Sequence, residues 1–492
     1  NIVSQGDVRN TGGTITGGNV SVQSTEGSII NETLAITTGN DRERNTVIGN
    51  TGTISSTGDL NLDAKKDIKV TGAQIAAGGN ASLTAGDAIT FDTIEDKKAH
   101  TTSSASSKGF NATTTTSTTQ TTTQIKSGLT VGGNLNMKAK NDVTLAGTDV
   151  NVAGDGNIES TDGSVNVLAR ANSTKTTSKT ETSGLGVGGG VYGKQTTDHV
   201  EERDRNVASN INIGGNASVK AKKDITIEGS NVAVQGDGAI DAGGNLNILD
   251  GKDRDYSKTT TTTTTFLKVE KGQDKGKAEG KKEANAGAKA GGVSAAAGAS
   301  VGASGEAENT SSGGLVLAQK TVETQTDEDV RGVGSKVSFG GNLKAKTGGD
   351  VNLRGSELAA GGDVDIDATN VNVLAGQNKK TSSNTNSTTK VGFMGESTNK
   401  ASGKVGAGAG AKAGITGANA SASAEASGEA SSENRLALVK VSKSTEDTLD
   451  ITHNASAIKS GGNMKINAKA GIKTVGSSLE SGADMDLQAA DM

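Results

Sequence analysis

Glycines recur in this chain at a fixed interval of 21 residues: Gly58 and Gly79, Gly133 and Gly154, Gly341 and Gly362. The stretch GGNLNMKAKNDVTLAGTDVNVAGD at 132–155 returns at Gly214 as GGNASVKAKKDITIEGSNVAVQGD and at Gly340 as GGNLKAKTGGDVNLRGSELAAGGD. A period of this size is the signature of a solenoid, because one such unit cannot bury its apolar face alone and must stack on its neighbours. Inside the unit, Leu135 and Met137, Val143 and Leu145, then Val150 and Val152 alternate with polar residues. Period-two runs broken near 140–142 and 147–148 read as three short half-buried strands joined by turns. Recurrent Gly and an excess of Val, Ile and Thr argue against helix. The expected fold is all-β: a parallel β-helix of about a dozen coils, ~58 Å long at ~4.8 Å per coil.

Composition fits a thin core. Hydrophobic residues make up 31% of the 492, aromatics only 1%, and the chain has 71 Gly but no Trp, Cys or Pro. It cannot fill a thick aromatic core, but it can fill a narrow column of Val, Ile, Leu and Ala. Full disorder is disfavoured by the patterning of the apolar residues and by a net charge of only −5. The lack of Cys excludes thiol catalysis, disulfides and Cys-based zinc sites. No basic run carries stacking aromatics, so nucleic acid is not an expected partner, and no apolar run is long enough for a membrane helix. The repeat is already under way at the opening NIVSQGDV, so the chain reads as an internal piece of something longer.

An Asn or Asp follows the repeating Gly at Asp59, Asn80, Asn134, Asp155, Asn216, Asn342, Asp363, Asn463 and Asp484. Gly supplies turn geometry without a steric penalty, and Asx residues hold turns through local hydrogen bonds. Stacked, their amides are expected to form a ladder. Calcium binding by this row is disfavoured, because GGN followed by an apolar residue departs from the G-G-x-G-x-D pattern of calcium β-rolls.

Alternate coils are interrupted at one corner. The chain reads as coils at 1–93, 127–169, 209–250, 335–375 and 457–492, with insertions at 94–126, 170–208, 251–334 and 376–456. After each insertion the third strand returns, as in SGLTVGGN, ASNINIGGN, GSKVSFGGN and ASAIKSGGN. The insertions begin Thr- and Ser-rich (NATTTTSTTQTTTQ, KTTTTTTTFLKVE), and the later ones turn Gly/Ala-rich (AGGVSAAAGASVGASGEAE). They return through LVLAQKTVETQT and LALVKVSKSTED. Two readings stand: solvated low-complexity loops, or long hairpins forming a second β-layer, leaving the rod in a row ~10 Å apart.

The units GGN-h-x-h-x-A-x-x-D-h-x-h-x-G-[ST] at Gly132, Gly214 and Gly340, a degenerate copy at Gly461 with Gly471 in place of Asp, and the Thr-rich insertions together resemble a known pattern. It is the second filamentous-haemagglutinin-type repeat region of CdiA-like contact-dependent growth inhibition effectors and related two-partner-secreted haemagglutinins. The resemblance covers essentially the whole chain. It implies a right-handed β-helix within a secreted, cell-surface bacterial exoprotein, exported by an outer-membrane two-partner secretion transporter. It further implies conditional engagement of the target cell's outer membrane and help in passing a C-terminal toxin carried in cis. No VENN boundary motif or toxin occurs in these residues.

The functional expectation is a translocation module whose Gly/Ala-rich hairpin tips engage the membrane, with Leu185, Val187, Val191, Tyr192, Val293, Val301, Val405 and Ile415 as contact residues. Lys289, Lys412 and Glu425 interrupt these apolar faces, which suits conditional rather than constitutive membrane strands. The alternative is a rigid stalk or adhesin with decorative insertions. Enzymatic activity, a cofactor and a small-molecule substrate are not expected. His100, His199 and His453 lie in or beside insertions, outside metal-ligand spacing. The acidic run around His199 (Asp198, Glu201, Glu202, Asp204) reads as a solvated charged face. Ice binding is disfavoured because the Thr runs lie in insertions rather than on a flat face of the coils.

Overall fold

The computed structural model describes the backbone of residues 1–291, 294–414 and 417–491; side chains are described outside 271–313, 396–401, 403–430 and 432–435. Three columns of short parallel strands wind into a β-helix. The first column, opened by the GG-Asx turn, runs through Leu60–Ala64, Ala81–Ala85 and Leu135–Ala139, and the second through Ile68–Thr71, Ile89–Asp92 and Val143–Ala146. These two share a 21-stranded sheet, and the third column is an 11-stranded sheet from Thr14–Gly17 to Ser478–Ser481. Register follows the sequence repeat: Leu83 lies between Leu62 on one coil and Met137 on the next.

That register stacks like on like. Leu62, Leu83, Met137 and Ile158 are buried in one pile, and Ile68, Ile89, Val143 and Val165 in another. Each such side chain contributes roughly 1.5–3 kcal/mol on burial. Volume is balanced between coils. Phe339 is accommodated because Gly238 faces it, and a Cβ at Gly238 would strike the Phe339 ring.

The turn between second and third columns takes two forms. In one set of coils it is a single left-handed glycine: Gly72, Gly147, Gly229, Gly355 and Gly476 have φ of 58, 52, 57, 57 and 58°. In the intervening coils a long hairpin stands in its place. Ile94–Lys108 pairs with Asn111–Ile125, Arg170–Leu185 with Tyr192–Val207, Gly251–Gly291 with Ser294–Val333, and Gly376–Gly414 with Gly417–Asn454. Of the two readings of the insertions, the second β-layer is the one observed.

A fifth hairpin interrupts the segment 1–93, read from sequence as coils throughout. Ala35–Gly39 pairs with Arg44–Ile48 around a turn at 40–43. It occupies the same corner, but it is too short to carry the Thr run that marks the others.

All five hairpins form one antiparallel sheet of ten strands. The return arm of each pairs with the outgoing arm of the next: Ala99 with Arg44, Thr113 with Thr182, Thr197 with Thr261, and Thr321 with Thr388.

Candidate functional site

The hairpin sheet is the functional candidate, and its geometry starts at the rod. Where each long hairpin re-enters the coil stands a buried serine: Ser127, Ser209, Ser335 or Ser456. Its hydroxyl donates to the carbonyl of the last rod residue before the hairpin leaves: Asp92, Leu168 (2.7 Å), Leu249 (2.6 Å) or Leu374 (2.7 Å). The coil therefore closes across the insertion whatever its length. In glycine-turn coils the equivalent hydroxyls of Ser230 and Ser356 make the same closure to Glu228 and Arg354. Successive hydroxyls also accept main-chain N–H groups, Ser209 to Ser230 (3.2 Å), Ser230 to Ser335 (3.2 Å) and Ser335 to Ser356 (3.0 Å), so a serine ladder runs up this corner.

The opposite turn carries the Asx row. Asp59, Asn80, Asn134, Asp155, Asn216, Asn342, Asp363, Asn463 and Asp484 are joined by main-chain N–H groups donating to the Oδ1 of the Asx one coil back, as from Asn80 to Asp59 (2.8 Å) and from Asp363 to Asn342 (2.8 Å). Asn19 and Asp237, absent from the expected row, belong to the same chain of bonds. The link is not amide on amide. Each rung needs only one side-chain oxygen, which is why Asn and Asp interchange freely here. Amide-on-amide ladders occur instead on the outward faces of strands, as from Asn157 to Asn136 (2.8 Å) and from Asn212 to Asn151 (2.9 Å).

Above the roots the arms are held by charge and by threonine. Arg170, the first residue of its hairpin, clasps Asp92 through two bonds of 2.8 and 2.6 Å. Arg354 donates to the buried Asp250 at 2.6 Å. In the acidic run beside His199, Asp198 is exposed and Glu201 pairs with Arg203 on its own strand, but Glu202 enters a cross-arm network: it pairs with Lys175 (2.7 Å) and Arg254 (3.1 Å), and Asp255 bridges Arg205 and Arg331. The partners in that network lie on other strands, out of reach of a local sequence reading. The hydrogen bond from Lys175, with help from Arg254 against the opposing effect of burial, holds the Glu202 carboxyl below the usual range. Burial pushes Asp255 up, but Arg205 and Arg331 outweigh it and leave it lowered. His199 bonds Thr259 and His100 bonds Glu43. Threonine hydroxyls pair across the strands, Thr113 with Thr182 (3.1 Å), Thr115 with Thr180 (3.2 Å) and Thr321 with Thr388 (3.3 Å). Such pairs contribute roughly 0.2–1 kcal/mol each.

Fifteen residues out, the surface changes. Counted from the strand starts Arg170, Gly251 and Gly376, that distance reaches Leu185, Phe266 and Val391; counted back from Ile125, Val207 and Asn454, it reaches Phe110, Tyr192 and Val439. All six are exposed. Cross-strand register aligns them: Leu185 opposes Tyr192, Tyr192 opposes Phe266, and Val391 opposes Val439. Leu267, Val269, Leu315, Leu317, Phe393, Leu436, Leu438 and Val441 widen the row into an apolar belt, with Phe110 at 84%, Val269 and Leu436 at 74%, and Phe393 at 58% exposure. The belt stands ~50 Å from the rod, at ~3.3 Å per residue.

Irregularities fall on the same line. Register shifts lie between Glu270 and Gln273, Val316 and Ala318, and Val391 and Met394. Leu267 is the only described non-glycine residue with positive φ, 55°. Bulges bend a strand and raise its twist, so the two long hairpins change course at the belt. Lys390 reaches across to Glu270 (2.6 Å) and ties those hairpins together there.

Of the residues expected to contact membrane, Leu185, Val191 and Tyr192 are exposed in the belt and Val187 sits in the adjoining tip turn, partly exposed. Val293 and Ile415 lie outside the described residues. Val301 and Val405 are on arms whose side chains are likewise not described. Most of the belt was missed. Its signal was a short apolar cluster in each arm of the two longest hairpins (TFLKV, LVLA, KVGF, LALV) at nearly constant distance from the root, a regularity visible only once the hairpins are aligned.

A β-solenoid that projects a continuous sheet of hairpins from one corner defines a class of repetitive, rod-forming polypeptide. The chain belongs to the hemagglutinin repeat family: the family model matches residues 37–117, 108–201, 190–338, 318–440 and 439–492. It is also similar to the tRNA nuclease CdiA of Escherichia coli (strain STEC_O31), 24% identical over 408 residues, 80% of this chain. The chain spans only about 10% of that relative's length.

Proposed function

We propose that this is a non-catalytic repeat region of a secreted, cell-surface two-partner-secretion exoprotein, which engages the outer membrane of a target cell and helps a C-terminal toxin across. The apolar belt is the observation that carries this reading. Exposed apolar residues on neighbouring hairpins stand at one height, as they would if that height met a lipid surface. Tyr and Phe in such a row match the preference of aromatic rings for the membrane interface. Beyond the belt, the Gly251–Gly291 and Ser294–Val333 arms continue for about 25 residues, more than twice the ~9–11 that cross a bilayer as strand. The sequence there alternates small apolar residues with Ser, Lys and Glu.

A protease-protection assay with outer-membrane vesicles tests the proposal. Residues 271–313 and 395–435 become protected while the Thr-rich proximal arms stay cleavable. If those segments are cleaved equally with and without vesicles, the proposal fails. The second reading, a rigid stalk or adhesin, is favoured by one observation: the serine closure makes the rod complete without its hairpins. Deleting all four long hairpins while retaining display separates the two, since only the stalk reading expects delivery to be unchanged.

A further inference from the structure

The ten-stranded sheet ends on the return arm Gly417–Asn454, a 38-residue strand paired on one side with Gly376–Gly414 and on the other with nothing among the described residues. Every earlier return arm is covered by the outgoing arm of the next hairpin. We propose that this outer edge is an acceptor for one more outgoing arm, an extended Thr- and Ser-rich strand with basic residues at its root, supplied by a further hairpin of the same series. The inference goes beyond the membrane reading and does not rest on it.

Three observations carry it. The edge repeats the chemistry of a strand that is covered: Leu436, Leu438 and Val441 of LALVKV match Leu315, Leu317 and Val322 of LVLAQKTV at similar distances from the root. Its exposure differs from that strand in the way an uncovered strand should. Residues 441–450 are all exposed, whereas most of 321–330 are half-buried beneath the next arm. The charge is complementary as well. Asp329 on the covered return arm lies opposite Lys380, and Glu202 on the arm before it pairs with Arg254 of the next hairpin at 3.1 Å. Glu446, Asp447 and Asp450 are the corresponding carboxylates on the edge, and all three are exposed. Protected sheet edges are short or bulged, or carry guarding charge. This one is long and also presents Leu436, Leu438, Val439, Val441, Leu449 and Ile451 to solvent. A second copy of the chain is a poor occupant through the opposite edge of its sheet, which is the five-residue strand Ala35–Gly39 at the base and only residues 100–108 of the first long arm above it.

A labelled peptide with the sequence of residues 376–394 serves as the probe, titrated into the full chain in lipid-free buffer. Saturable one-to-one binding is expected, weakened at least tenfold by Glu446→Lys with Asp450→Lys and absent for a scrambled peptide. Prolines at the neighbouring positions Ser442 and Lys443 give a second control. Only one of the two removes an N–H that points outward; that variant keeps its circular-dichroism spectrum and loses the peptide, and the other disturbs the pairing with the 376–414 arm. No saturable binding, equal binding of the scrambled peptide, or a concentration-dependent dimer abolished by the same proline would each overturn the proposal.

Discussion

The two shorter of the long hairpins, Ile94–Ile125 and Arg170–Val207, end at the height of the apolar belt; the two longest, Gly251–Val333 and Gly376–Asn454, pass through it and continue. Below the belt all four are built alike, with charged roots, threonine pairs across strands and continuous antiparallel register. Above it only the four arms of the last two hairpins remain, paired with one another as far as Ser294 and Gly414. On the membrane reading proposed above, the difference would assign separate tasks. The short hairpins fix a height by placing Phe110 and Leu185–Tyr192 there, and the long ones project Gly/Ala-rich strands past it. Four strands make an open sheet. Within a bilayer an open sheet leaves two rows of unpaired N–H and C=O groups, which hydrocarbon does not tolerate, and known strand bundles that span membranes are closed, with eight or more strands. On this argument the long arms need more arms beside them, and the uncovered 417–454 edge is where they would add.

The largest expected effect comes from removing the long pair alone. Deleting 251–334 with Asp250→Gly, and 376–455 with Ala375→Gly, keeps Ser335 and Ser456 and recreates the turn seen at Gly229 and Ser230. Vesicle protection should vanish while the β-type circular-dichroism spectrum per remaining residue is kept. Loss of the spectrum would instead mean that the sheet supports the rod. Next in size is the belt. Phe266→Asp with Phe393→Asp removes two large apolar contacts of at least ~1.5 kcal/mol each, hence about a hundredfold in vesicle partitioning. The same pair of changes at Thr261 and Thr388, below the belt, should alter partitioning less than threefold; equal losses at both heights would erase the distinction between belt and arm.

How much of this could be read from sequence differs between rod and sheet. The coil period, the three strands and the inward residues were legible because a solenoid's register is its sequence period: Leu62 and Leu83 pair because they are 21 residues apart. The hairpins were legible as excursions, since the third strand reappears after each. Their lateral pairing was not, because Thr113 and Thr182 meet only through the rod that carries them both. The serines at re-entry, in plain view in SGLTV, ASNINI, GSKVSF and ASAIKS, carry no mark of the carbonyls they close upon. The short hairpin at 35–48 escaped for want of a threonine run.

A smaller effect separates rod from sheet. Gly238→Leu forces a side chain into the Phe339 ring across the coil, and overpacking of this kind costs about 1–3 kcal/mol. Because stability in a solenoid is nearly a sum of nearest-neighbour terms, hydrogen exchange should quicken in Leu246–Leu249, Val337 and Leu343 and stay unchanged in Leu62 and Leu83. A uniform increase along the rod would show that the coils unfold as one unit.

The smallest effect is that of acid on the seam between the second and third long hairpins. The Glu202 carboxyl is held below its ordinary value by its hydrogen bond from Lys175 and, in lesser part, by Arg254; Asp255, though burial raises it, is lowered on balance by Arg205 and Arg331. A group whose folded pKa is depressed stabilises the fold fully above its unfolded value, about 4.3 for Glu and 3.9 for Asp, and that stabilisation is lost as pH falls through the folded value. Solvent reaches these pairs, so each is worth less than about 1 kcal/mol and is screened by salt. Between pH 6 and pH 3, exchange corrected for its intrinsic rate should quicken at 201–205 and 253–258, and more so at low salt. The serine closures at Ser209 and Ser335 contain no titrating group and should exchange alike at both pH values. If the closures loosen first, the hairpins are anchored by charge at their roots rather than by the coil that closes beneath them.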